Sequence, residues 1–194
     1  MVTQPDTRTK IRDAAAVLFR RHGYPATGLK RIAAEAGATF GSIYHFFPGG
    51  KQQLAEDIIR GSGPEYMRTV LALLDSTPDP LQSLDIAFRA AADNLAATGY
   101  ADACPIATMA LEVASSNEVL RLATAQVFAE WVDEATTWFG RWVPDREAAR
   151  TLAHALIMLL EGAFLLSRAA RDREPMEAAG RSIRELTRAA LGPA

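Results

Sequence analysis

Apolar positions in the first part of the chain fall at Ile11, Ala14, Ala15, Leu18, Phe19 and His22, the spacing of one helical face. Asp6 or Thr7 is placed to cap that helix, and Gly23 stands where a left-handed terminator is expected. After Tyr24-Pro25-Ala26, Thr27 is the expected N-cap of a short helix with Leu29, Ile32, Ala33 and Ala36 inward and Gly37 closing it. Thr39 caps a third, very short helix whose apolar side is Ile43, Phe46 and Phe47. Phe47-Pro48-Gly49-Gly50 breaks it, and Lys51 opens a fourth with Leu54, Ile58 and Ile59.

Gly61-Ser62-Gly63-Pro64 then interrupts the pattern. Proline inside a helix removes a hydrogen bond and clashes with the preceding turn. Either the fourth helix ends near Arg60, or it kinks and restarts with Ser62 as cap and Pro64 in its first turn. Further helices are expected at Pro80 to about Ala97, Pro105 to Ser115, Asn117 to Phe139, Glu147 to about Arg171 and Glu174 to Leu191, about nine in all. The pattern is all-α, and 37 alanines agree with it, since alanine is the strongest helix former.

The 194 residues suit one or two compact domains. The overall charge of −2 hides an asymmetry. Residues 1–60 carry nine Lys/Arg against five Asp/Glu, whereas residues 61–194 carry twelve against eighteen. A basic head on an acidic body is what phosphate contact needs, although such a face is also common on solvated helices. One cysteine, Cys104, rules out an intramolecular disulfide and a cysteine-built zinc site. The polar first ten residues do not resemble a signal peptide, and the apolar run through Leu166, interrupted by Glu161, is expected to fall short of a bilayer span. The expectation is a cytoplasmic protein with no membrane partner.

The two short helices around Gly37-Ala38 have the size of a helix-turn-helix. In that motif the second helix enters the major groove, which here presents Thr39, Phe40, Gly41, Ser42, Tyr44 and His45. The alternative is two amphipathic helices that simply pack on the first. Phe40 is placed either to meet a thymine methyl or to tuck against the first helix.

Residues 11–54 resemble the DNA-binding domain of the TetR family of bacterial repressors. The resemblance is carried by Ile11, Ala14, Ala15, Leu18, Phe19, Gly23-Tyr24, Thr27, Ile32-Ala33, Ala36-Gly37, Gly41-Ser42-Ile43-Tyr44, Phe47, Lys51 and Leu54. A narrower similarity to the LmrA/YxaF-like subgroup rests on Phe47-Pro48-Gly49-Gly50-Lys51, Cys104-Pro105-Ile106-Ala107 and Ala110-Leu111-Glu112. The family's histidine directly before the phenylalanine that ends the recognition helix is here Phe46, with His45 one place earlier. The resemblance implies a DNA-binding domain at 1–60, a ligand-binding and dimerisation domain at 61–194, and a pseudo-palindromic operator. It implies phosphate contacts from Thr27, Lys30, Thr39, Tyr44 and Lys51, close approach to base edges by Gly41 and Ser42, and sequence choice by Phe40, Ser42 and His45.

Residues 151–170 are apolar nearly all round, so one face must pack on the domain and another on a second subunit. The family's last two helices form such a dimer interface, which implies Leu156, Leu159, Leu160, Ala163, Leu166, Gly180, Ile183 and Thr187. Candidates to line an effector cavity are Phe88, Met109, Phe128, Trp131, Trp138 and Met158, because methionine and flat rings suit apolar ligands. His154 and Glu161 lie seven apart on one face, either satisfying each other or giving a ligand a polar handle. Relatives of the subgroup answer to aromatic compounds and antibiotics and control efflux genes. Cys104 at a helix start is either packing or a redox thiol. No catalytic, metal or cofactor site is expected: Gly50-Lys51 lacks a phosphate loop's upstream glycine at His45 and its Ser/Thr at Gln52. The competing function is a DNA-binding activator or architectural protein without an effector.

Overall fold

The computed structural model describes residues 6–102 and 104–192. Among them are nine helices and no strand: α1 (Thr7–His22), α2 (Leu29–Glu35), α3 (Phe40–Phe46), α4 (Gly50–Leu74), α5 (Pro80–Ala97), α6 (Pro105–Val113), α7 (Glu118–Phe139), α8 (Arg146–Ala170) and α9 (Glu174–Leu191). By packing the chain divides into Met1–Gly63 with Cys104–Val127, and Pro64–Ala103 with Phe128–Ala194.

In the first unit Asp6 caps α1, its carboxylate accepting from the Thr9 N–H. Ile11, Ala15, Leu18 and Phe19 form the buried stripe, but His22 is exposed beside Arg31. Gly23 ends α1 at φ 81 and ψ 159, a positive φ with extended ψ rather than the left-handed helical conformation expected. α1 packs on α2, α3 and α6. The turn between α2 and α3 closes as expected: Gly37 takes φ 60, its N–H donates to Ala34, and the Ala38 N–H donates to Ala33. That pairing satisfies the last carbonyls of α2.

Two local readings are corrected. Thr27 does not cap α2; Gly28 occupies the cap position and makes no side-chain bond. Thr27 is fully buried instead, its hydroxyl donating to the Gly23 carbonyl at 2.7 Å. Nor does α4 stop or restart: it runs unbroken from Gly50 to Leu74 with Pro64 inside it. Ile58 and Ile59 are buried before the proline and Met67 and Leu74 after it, so packing on both sides outweighs a local cost of roughly 3 kcal/mol. A side chain at Gly63 would lie 2.5 Å from the β-branched Val127, which explains a glycine in that helix.

In the second unit α9 packs on α5 and α8. Its core includes Leu84, Phe88, Leu95, Leu152, Leu156, Met176 and Ile183. Gly180 permits the α5–α9 approach, because a Cβ there would meet that of Phe88 at 2.9 Å. α8 is long and apolar enough, by length and composition alone, to cross a membrane, a test that a core helix also passes; Glu161 interrupts its apolar run as expected. Asp145 caps it, and Ala149, Leu152, Ala153, Leu156 and Ala163 bury one of its sides.

Candidate nucleic-acid interface

α3 begins at Thr39, whose hydroxyl oxygen accepts from the Ser42 N–H at 3.2 Å and lies 2.7 Å from the Ser42 hydroxyl. Ile43 anchors the helix inward, and Phe47 closes it from a fully buried site. The opposite side presents Thr39, Phe40, Gly41, Tyr44 and His45, all exposed, with Ser42 half-buried among them. Phe40 is therefore not tucked against α1. It stands 44% exposed and meets Tyr44 edge-on. The Tyr44 ring also lies against Gly50, where an added Cβ would sit 3.3 Å from it. Gly41 differs from the packed glycines: the nearest atom to an added Cβ is Thr39 Oγ1 at 3.9 Å.

Around this surface Lys30 is exposed. Lys51 is half-buried, its ammonium 4.3 Å from the centre of the Tyr24 ring and donating to the Pro25 carbonyl. Burial lowers the pKa of that lysine, and the Glu112 carboxylate opposes the shift. Thr27 is removed from the expected phosphate contacts. Its side chain is internal, and its N–H donates to the Tyr24 carbonyl.

The second unit holds a small apolar cavity of about 10 Å³, lined by Tyr66, Met67, Val70, Trp131, Leu156, Ile157, Leu160 and Glu161. Of the residues expected there, Trp131 and Glu161 line it, and Phe128 borders it by meeting Trp131 edge-on. Tyr66 stacks on Trp131 at 5.3 Å, and both Glu161 carboxylate oxygens are buried. The other candidates lie elsewhere. Phe88 packs against Gly180 and lines a separate, open and charged cleft of about 310 Å³ with Asp85, Arg89, Arg173, Glu177 and Arg181, and Trp138 donates its indole N–H to Asp75. Met109 belongs to α6 in the first unit, whereas His154 and Met158 are exposed. His154 and Glu161 therefore do not share one environment. Tyr66 and Met67 escaped the sequence reading because Pro64 disguised the helix that carries them.

The expected dimer residues also divide. Leu156, Ala163, Gly180, Ile183 and Thr187 are buried within the chain and do not offer a surface to a partner; Leu156 and Leu160 also line the cavity. Leu159 is half-buried and Leu166 is 59% exposed. Leu165 and Met158 are also exposed on α8, and α9 exposes Leu186. Cys104 is buried, its sulfur accepting from the Ala107 N–H at the start of α6. No group of three or more His, Cys, Asp or Glu arranged to hold a metal occurs among the described residues.

Residues 11–58 match the family described as bacterial regulatory proteins, tetR family. Residues 80–182 match the LmrA/YxaF-like transcriptional regulator C-terminal domain. The HTH-type transcriptional regulator YxaF of Bacillus subtilis (strain 168) is 32% identical over 180 residues, covering 91% of this chain and 92% of that protein. The regulator LmrA of the same organism is 33% identical over 175 residues, covering 88% and 91%. The crystal structure of a regulatory protein TetR from Rhodobacter sphaeroides superposes with a TM-score of 0.83 at 22% identity, covering 93% of this chain and 98% of that one. An ordered helix-turn-helix followed by a matching helical domain thus identifies the chain as a transcriptional regulator that belongs to the TetR family.

Proposed function

We propose that the protein is a homodimeric repressor whose α3 reads a pseudo-palindromic operator and whose second unit takes a small apolar or aromatic effector that releases the DNA. Phe40, Gly41, Ser42 and His45 face base edges, while Lys30, Thr39, Tyr44 and Lys51 hold phosphates. Thr27 serves by position, fixing the turn before α2.

The observation that carries DNA reading is Gly41. A glycine inside a helix costs about 1 kcal/mol against alanine, and nothing in the protein's own packing requires this one. Close approach of a groove to the backbone supplies the missing reason. Gly41→Ala is therefore expected to hold or raise the melting temperature while weakening operator binding tenfold or more, measured by fluorescence anisotropy on a selected duplex. An unchanged affinity would remove the argument for groove contact at this position.

The exposed leucines and Met158 support a two-fold interface on α8 and α9. Gly162 adds to that support, since an added Cβ would meet nothing within 4 Å. For the effector, the support is an apolar cavity beside stacked rings. Its closed form has room for about one water, so an effector must part Tyr66 from Trp131 to enter. That closed volume favours a second reading, a DNA-binding regulator of this fold with no effector. The subgroup resemblance supports control of an efflux gene as part of this reading.

A further inference from the structure

α6 reads PIATMALEV, with a single ionisable residue, Glu112, near its end. That side chain is half-buried and turned toward the end of α1. One carboxylate oxygen accepts the Tyr24 N–H at 2.5 Å. The other occupies the space a side chain at Gly23 would need, 2.1 Å from its ideal Cβ. Tyr24 passes the constraint on. Its ring faces the Lys51 ammonium, Lys51 donates to the Pro25 carbonyl, and the Tyr24 carbonyl accepts the Thr27 N–H. One carboxylate thus ties the end of α6 to the turn from which α2 starts and to the first residues of α4. A second tie runs parallel, from the Asn117 side-chain amide to Gln52.

We propose that Glu112 is a positioning residue for DNA reading: its carboxylate holds the Gly23–Thr27 turn, and so α2 and α3, in the geometry that meets the operator. It touches no DNA itself. The Tyr24 N–H, at the end of α1, has its bond to this acceptor, and a charged acceptor makes that bond stronger than a neutral one. Without it the turn samples other conformations, and apparent DNA affinity falls by the fraction of time the reading geometry is lost. The inference rests on the DNA-reading function proposed above.

The test measures binding of the full-length protein and its variants to a duplex that the wild type selects from a random pool. Glu112→Ala is expected to bind about tenfold more weakly with an unchanged salt slope, because a positioning residue releases no counterion. Glu112→Gln, which keeps an acceptor oxygen, recovers binding to within about threefold of wild type. In the wild-type protein the Tyr24 amide proton exchanges slowly with solvent, and in Glu112→Ala it exchanges fast. Wild-type affinity in Glu112→Ala, a Glu112→Gln as weak as Glu112→Ala, or a fast-exchanging Tyr24 amide in the wild type each overturns the proposal. The amide measurement decides the matter even if Glu112→Ala fails to fold. If the wild type selects no duplex, the DNA-reading function fails and this inference with it; if it does, the variants judge Glu112 alone.

Discussion

Leu166→Arg is expected to leave a folded monomer whose operator affinity is at least a hundredfold below that of the wild type. Leu166 is 59% exposed on α8, next to Leu165 at 61%, one turn beyond Gly162 and two turns beyond Met158. Because the side chain packs on solvent in the isolated chain, the substitution costs the monomer little. At a two-fold interface every residue appears twice. Each copy loses about 1–2 kcal/mol of leucine burial, since part of the side chain is already covered by its own chain, and gains a guanidinium that must be desolvated. The second DNA-reading head then no longer binds at the high effective concentration that dimerisation provides. Sedimentation velocity with anisotropy on the selected duplex checks both parts. A dimer of unchanged stability would move the interface elsewhere. Ile183 and Thr187, fully buried within the chain, serve as contrasts: their replacement should lower the melting temperature of the chain itself.

Gly23→Ala carries the second large effect. At φ 81 and ψ 159 an L-residue is strained by about 1–3 kcal/mol. The new methyl group would also meet a Glu112 oxygen. A carboxylate at the end of a flexible chain moves aside, so the collision costs the bond to the Tyr24 N–H rather than a rigid clash. Together these should destabilise the first unit by roughly 2–4 kcal/mol. Gly37, with φ 60 and open space around it, should cost only about 1 kcal/mol on the same change. Thermal melting and hydrogen exchange in α1 to α3 check the difference. Equal effects at the two glycines would mean that Glu112 contributes nothing to the turn.

Amphipathic spacing made α1, α5, α7 and α9 legible in the sequence, because each has one apolar side to bury. Thr39 was legible as a cap for the same local reason: an oxygen three residues ahead of an N–H needs no tertiary partner. Thr27 looked identical in sequence, but its hydroxyl turns inward to Gly23, a choice set by the fold of α1 around it. Pro64 misled in the other direction. Local chemistry argues for a break, and the helix survives because its flanks are held by buried isoleucines and Met67. α8 hid its division of labour over its second half, where apolar Met158, Leu165 and Leu166 continue the exposed side that polar Arg150, Thr151 and His154 begin. The placement of Met158 outside, and of Leu156 and Glu161 at the cavity, needed three dimensions. Glu112 did leave a trace: a lone carboxylate on an otherwise apolar helix is a group in need of a partner.

The central claim is a symmetric pair of α3 helices reading DNA, and selection of duplexes from a random pool by the full-length protein tests it most directly. The account predicts an enriched inverted repeat with half-site centres about 34–36 Å apart, or a multiple of that. No enrichment, or a single site without two-fold symmetry, would contradict it.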